Sequence, residues 1–341
     1  MDPVAPTRQT SHHRYPVADK TDAAAVRRIV GRHAEQLGAD AYSRGRAELV
    51  ATELATNLVR HAKPGGWMLV RPVPPGQVEL IAVDHGPGIA DVSGALNGPH
   101  ASPGGLGCGL AAVRRASTYF DVQSAAGRGT TVLSIVDIAD RGPAPGRRAW
   151  GGVSIAVTEV CGDGWAVAEL DRAVAVTVVD GLGHGAKASL ATDAALAAFA
   201  TNPADLDGLV VRANDAMRHT RGAALTACLI DRDRRELRYF GVGNVNGRVV
   251  SGSGGRSLLC SSGTLGLKVV PPKAKLVTCP WPTDGVPVIW TDGLSSRLQL
   301  ATTPELLEHD PGLVAAALHR DFARERDDAT VVVVRPSEVA T

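Results

Sequence analysis

Residues 177–187 read Thr177-Val178-Val179-Asp180-Gly181-Leu182-Gly183-His184-Gly185-Ala186-Lys187. An apolar run from Ala173 to Val179 stops at Asp180, three glycines alternate behind it, and a small-residue helical segment starts near Ala186. The pattern predicts a strand that delivers one carboxylate to an exposed turn. Gly181, Gly183 and Gly185 clear side chains from that turn, so a ligand approaches the backbone closely. The carboxylate and nearby carbonyls then face one cation. Hard divalent ions such as magnesium or manganese want oxygen ligands and keep several waters, so a single turn is only part of a site.

Further carboxylates stand at other strand ends. Val286 to Trp290 runs into Thr291-Asp292-Gly293, and Asp327-Asp328-Ala329-Thr330 leads into the four valines Val331 to Val334. The run from Val153 to Val160 closes with Cys161-Gly162-Asp163 and supplies a fourth acidic cluster. Any one Asp-Gly pair is an ordinary turn former that needs no metal. Three such pairs and the Asp327-Asp328 doublet together bring four acidic clusters to strand ends, and their order matches that of a known family.

Over roughly Gly151 to Pro336 this order resembles the SpoIIE-type branch of the type 2C metal-dependent serine/threonine protein phosphatases. The resemblance implies an αββα sandwich, two packed β-sheets flanked by helices, over residues 153–336. It implies two Mn2+ or Mg2+ ions bridged by Asp180, the catalytic carboxylate, with the Gly181 carbonyl, Asp292 and Asp327 as further ligands and Asp163 holding metal-bound water. Asp327 and Asp328 are both carboxylates, and the sequence leaves open which of them binds. His184 either orients a bound water or phosphate, or only closes the turn.

The 341 residues allow two domains, and a content of 44% hydrophobic and 21% charged residues is that of a globular protein. With 36 basic and 35 acidic residues the net charge is +1, which argues against a broad nucleic-acid or membrane-binding surface. Five scattered cysteines without a Cys-x-x-Cys pair point to reduced, structural thiols and a cytoplasmic location. No apolar run approaches the roughly 18 residues of a membrane helix. The polar stretch Met1 to Pro16 is expected to be disordered.

The first half has its own chemistry. Helical periodicity predicts helices over 19–37 and 39–62, and in the second Glu53, Asn57 and His61 recur every four residues on one stripe. Taken alone, such a stripe is a solvated face. Strands over 67–70 and 78–83 follow, the second ending in Asp84-His85-Gly86-Pro87-Gly88. A loop rich in Gly, Pro and Ser then leads to Gly104-Gly105-Leu106-Gly107-Cys108-Gly109 and a helix carrying Arg114 and Arg115, before strands over 119–124 and 130–136. Glycine amides at a helix start form a phosphate cradle. A dinucleotide fold would need a strand directly before the first glycine, and here a long loop stands there.

From about Ala18 to Asp137 this combination resembles the GHKL ATP-binding superfamily, and within it the small serine kinases of the anti-sigma regulatory group. The implied fold is an α/β sandwich over residues 17–139 that binds ATP with Mg2+. The implied roles are Glu53 as catalytic base, Asn57 as magnesium ligand, and Asp84 as acceptor for the adenine amino group. Gly86, Gly88 and Thr130 would shape that end of the pocket, and Gly105, Gly107 and Gly109 would cradle the phosphates. His61 is read as structural.

Residues 140–152, rich in Pro, Gly and Arg, are read as a linker. Behind it, helices are expected over 186–200, 205–219 and 304–318 and strands over 225–231 and 237–242. The resemblances together imply a bifunctional α+β regulator of a bacterial partner-switching pathway. One half would phosphorylate a serine on a STAS-domain regulator, the other would remove phosphate, and a sigma factor is a further expected partner. The alternative is a phosphatase controlled in cis by an ATP domain that transfers no phosphate, or an anti-sigma binding module. Partners in nucleic acid or membrane are not expected.

Overall fold

The computed structural model describes residues 7–97, 109–138, 148–252, 254–295, 298 and 304–335. The chain divides into two compact units, one of residues 12–147 and one of residues 1–11 with 148–341. The chain opens with β1 (Thr7–Arg8), which belongs to the second unit.

The first unit contains β2 (His13–Val17), α1 (Lys20–Gln36), α2 (Ala41–His61), β3 (Gly66–Val73), β4 (Gln77–Asp84), α3 (Val92–Asn97), α4 (Gly109–Ala116), β5 (Tyr119–Ser124) and β6 (Thr130–Asp137). Its sheet is antiparallel throughout, in the order β2-β3-β4-β6-β5. α1 starts at a capping box: the Asp19 carboxylate accepts from the Thr21 and Asp22 amides, and Asp22 answers to the Asp19 amide. Two orphan helix donors are thereby satisfied, which fixes the start at the residue after Asp19. Val26, Val30 and Ala34 of α1 and Val50, Leu54 and Leu58 of α2 pack on Met68, Val70, Val78, Leu80 and Ala82 of the sheet. Each apolar helix stripe covers alternate strand positions, so this core leaves the Glu53 and Asn57 flank of α2 half-buried and His61 exposed.

The second unit is a sandwich. Its first sheet has the order β1-β8-β9-β10-β11-β14, with β8 (Asp163–Glu169), β9 (Ala173–Gly181), β10 (Ala223–Asp231), β11 (Glu236–Val242) and β14 (Val277–Pro280). The second sheet runs β13-β12-β15-β16-β7, with β7 (Trp150–Ile155), β12 (Asn246–Ser251), β13 (Gly254–Ser257), β15 (Val286–Trp290) and β16 (Ala329–Val334). Trp165, Val167, Val174, Val176 and Val178 of the first sheet meet Val249, Ile289, Val332 and Val334 of the second. The alternate residues Ala175 and Val179 face α5 (Ala186–Thr201) and α6 (Leu206–Ala216) through Ala191, Ala195, Leu196, Phe199 and Leu209. β9 is thus buried on both faces, and its sequence reads as one continuous apolar run. α7 (Pro311–Phe322) packs on β7 and β16. The fold class expected from the sequence, an α/β sandwich followed by an αββα sandwich, is the one observed.

Several local expectations are corrected. Residues 7–8 and 13–17 are strands rather than disorder. β1 pairs with Val167 and Ala166 of β8, the Gln9 amide donates to the Trp165 carbonyl at 3.2 Å, and Arg8 pairs with Asp193 at 2.6 Å. That ion pair is exposed and contributes at most about 1 kcal/mol. The expected linker ends early, because β7 begins at Trp150; residues 140–147 lie outside the described ones. The apolar run from Val153 stops as a strand at Ile155, and Asp163 opens β8 instead of closing that run. The expected helix over 304–318 is two elements, a short 3-10 turn (Pro304–Glu308) and then α7, because Asp310 caps a new helix with Pro311 at its first position.

Candidate functional site

Within the sandwich, β8 and β9 run antiparallel with Asp163 directly opposite Asp180. Both share the strand face of Trp165 and Val178, so their carboxylates stand at the rim of the gap between the sheets. Gly181 follows because α5 leaves no room for more: a Cβ there would lie 2.4 Å from the Ala188 carbonyl. Gly183 and Gly185 take left-handed backbone angles of +81° and +75°, which turn the chain into α5.

Asp163 is buried and its Oδ2 accepts from Thr291 Oγ1 at 2.7 Å. Burial pushes its carboxyl well above the usual range, and the neighbouring Asp180 and Asp328 add to the shift. Burial also pushes Asp180 up to about 7, with Asp292, Asp327 and Asp328 adding like charge. Asp180 Oδ2 is buried without a hydrogen-bond partner. A carboxylate oxygen in that condition, facing other carboxylates, calls for a proton or a cation. Asp292 is half-buried and accepts from Asn244 Nδ2 at 2.5 Å.

Asp327 and Asp328 stand in different surroundings. Asp328 is buried, its two oxygens taken by the Val157 amide at 2.7 Å and the Gly162 amide at 2.5 Å. It clamps the turn between β7 and β8. Asp327 is exposed, and only its Oδ1 is engaged, by the Asp328 amide at 2.9 Å. His184 is exposed on its turn.

The donor set suits a hard divalent cation in its chemistry: all-oxygen, supplied by neighbouring strand ends, with one orphaned buried oxygen. Among the described residues no three acidic, His or Cys side chains already converge on one point. An ion that retains several waters needs only one or two carboxylates directly.

The first unit holds the second candidate site. Asp84 ends β4 buried, and its Oδ1 accepts from the Gly86 amide at 2.7 Å and the Thr130 amide at 3.2 Å. Gly88 has φ of +74°, and a Cβ on it would strike the Ala125 carbonyl at 2.2 Å. A Cβ on Gly129 would come within 2.0 Å of the Asp84 carbonyl. The two loops therefore close on each other only through glycines. Ser124 ties them: its Oγ accepts from the Ile89 amide at 2.8 Å and lies 2.9 Å from Thr130 Oγ1. The side chains of Glu53 and Asn57 make no hydrogen bond to another described residue. Gly109 opens α4 with φ of +42°. Gly105 and Gly107 lie outside the described residues.

Sequence reasoning missed Asn244, the Thr291 contact to Asp163, the clamp made by Asp328, and Ser124. Thr291 carried a signal, as the first residue of Thr-Asp-Gly; Asn244 and Ser124 carried none outside their tertiary contacts.

Residues 17–136 match the histidine kinase-like ATPase domain family, and residues 171–337 match the family of stage II sporulation protein E (SpoIIE). The serine/threonine-protein kinase RsbT of Bacillus subtilis (strain 168) is 32% identical over 116 residues, which cover 33% of this chain and 87% of that protein. The phosphoserine phosphatase RsbX of the same organism is 34% identical over 139 residues, 40% of this chain and 68% of that protein. A solved structure described as the bacterial stressosome, a modular system adapted to control secondary messenger signalling, aligns with a TM-score of 0.50 and 24% identity, covering 55% of this chain and 98% of its own. That last likeness concerns the fold alone.

Proposed function

The chain belongs to the histidine kinase-like ATPase family through its first domain and to the SpoIIE family through its second, and on that premise we propose a bifunctional regulator of a cytoplasmic partner-switching pathway. The second domain removes phosphate from a phosphoserine protein with Mn2+ or Mg2+. Asp180, Asp292, Asp327 and the Gly181 carbonyl hold the ions, and Asp163 orients water. The observation that carries this reading is the buried, partnerless Asp180 Oδ2 among like-charged neighbours. The bound ions would lower the pKa of a water and neutralise the phosphate. The protein side positions the acidic donors, with Thr291 and Asn244 fixing the orientation of Asp163 and Asp292.

The first domain binds ATP with Mg2+ and transfers phosphate to a serine of a STAS-domain regulator. Asp84 receives the adenine amino group, with Gly86, Gly88 and Thr130 shaping that end. Asn57 holds magnesium, Glu53 takes the serine proton, and Gly105, Gly107 and Gly109 line the phosphates. Phosphoryl transfer is mostly positioning and charge neutralisation, which this set supplies. A second reading is supported by chain order: residues 12–147 are inserted between two pieces of the other unit. A domain tied to the phosphatase at both ends suits control in cis, without transfer.

The test uses full-length protein, since residues 7–8 complete the sandwich sheet. Wild type, Glu53→Ala and Asp180→Asn are each given ATP, Mg2+ and a candidate STAS protein. Opposing activities require phosphoprotein to accumulate with Asp180→Asn and to be absent with Glu53→Ala. If Asp180→Asn phosphorylates no candidate while wild type still dephosphorylates a prepared phosphoprotein, the cis-control reading replaces the kinase.

A further inference from the structure

The turn after Asp180 has a basic neighbour that no motif marks. Arg221 lies two residues before Ala223, which pairs with Gly181 at the end of β9. The Leu182 amide donates to the Gly222 carbonyl at 3.0 Å, so the backbone directly after Arg221 is fixed to the turn that follows Asp180. The approach is rigid. Thr220 Oγ1 donates to the Met217 carbonyl at 2.7 Å and accepts from the Gly222 amide at 3.0 Å. Gly222 has φ of +80°, and a Cβ on it would meet the Leu265 carbonyl at 2.4 Å, so only glycine turns the chain here.

The guanidinium reaches over Gly183: Arg221 Nη1 lies 3.1 Å from where a Cβ on that glycine would stand. Arg221 is exposed and makes no hydrogen bond or ion pair with another described residue. A planar cation thus lies over Gly183, on the turn that follows Asp180, and its donors meet no other described residue.

We propose that Arg221 binds the phosphoryl oxygens of the phosphoserine substrate, and of the phosphate product, at the mouth of the Asp180 site. This rests on the phosphatase reading of that site. A guanidinium fork matches two phosphate oxygens, whereas an ammonium offers a point charge. Gly183 has no side chain, and any Cβ there would crowd the guanidinium.

The experiment uses full-length protein with manganese. Inorganic phosphate is titrated calorimetrically into wild type, Arg221→Ala and Arg221→Lys, and kcat and KM are measured on a small aryl phosphate. Loss of charge-assisted hydrogen bonds is expected to weaken phosphate binding and raise KM about ten- to hundredfold in Arg221→Ala, with Arg221→Lys in between. Manganese affinity stays at the wild-type value, which a merely structural role for Arg221 would not single out. A wild type that hydrolyses and binds phosphate, matched in both by Arg221→Ala, overturns this inference alone. A wild type that does neither overturns the phosphatase reading and this inference with it.

Discussion

Asp84 and Asp180 are two versions of one local sequence: each ends a strand, and each is followed by alternating glycines. Their surroundings differ. Asp84 Oδ1 is held by the Gly86 and Thr130 amides, so the carboxylate ties the end of β4 to the loop behind it and to the start of β6. Asp180 Oδ2 is buried without a partner and faces three other carboxylates. An aspartate at a strand end before alternating glycines is therefore a pre-satisfied acceptor in one domain and an unsatisfied one in the other. The difference comes from what the rest of each fold brings to the turn: backbone amides in one case, acidic strand ends in the other.

The sharpest way to break the comparison is to make each carboxylate an amide. Asp180→Asn removes charge where charge is uncompensated, and phosphoserine phosphatase turnover is expected to fall on the order of a hundred- to a thousandfold, the scale of losing one electrostatic element of a reaction centre. Steady-state assays with manganese read this directly.

The next effect concerns stability and separates the adjacent acids. Asp328 accepts two backbone amides in a buried place, and Asp328→Ala strands both donors, at a cost of about 2–4 kcal/mol. Asp327→Ala, at an exposed position, is expected to change stability by less than about 0.5 kcal/mol. Denaturant melts of the two variants check it; equal losses would contradict the division between clamp and site.

Asp84→Asn comes third. The amide oxygen still accepts from Gly86 and Thr130, so the fold is retained, but the adenine amino group meets a weaker acceptor. ATP affinity is expected to drop about tenfold, with GTP affected less. Calorimetric titrations of both nucleotides are the measurement.

The smallest effect is on pH dependence. In chelator, the folded state keeps a proton on Asp180 up to about 7, against an ordinary carboxylate value of 3.8. A raised folded pKa means that the unfolded chain loses its proton first, so stability falls as pH rises through that window. Thermal melts of wild type are expected to lose a few degrees between pH 4 and about 7.5 relative to Asp180→Asn. A parallel pair of curves would mean that Asp180 is satisfied after all.

The strand ends and glycine turns were legible because their signals are local: an apolar run, an acid, then residues that permit positive φ. Helices α1 and α2 were legible for the same reason, through caps and a periodic apolar stripe. What was not legible depends on distant contacts. The run from Val153 breaks at Ile155 because Asp328, 171 residues away from Val157, holds that amide. β1 is two residues long and carries no periodicity; only the edge of β8 makes it a strand. The Asp310-Pro311 start of α7 was a local signal, and an apolar pattern on both sides of it hid the break. Among the candidate site residues, motif order named Asp163 and Asp180 together. That they sit opposite one another is a matter of register, which the sequence does not display.

The central claim is that Asp180 is the carboxylate that requires a cation and Asp84 is not. Manganese titrated calorimetrically into nucleotide-free, full-length wild type, Asp180→Asn and Asp84→Asn tests it most directly. The account predicts tight binding by wild type and Asp84→Asn and its loss in Asp180→Asn; manganese binding by Asp180→Asn at wild-type affinity would contradict it.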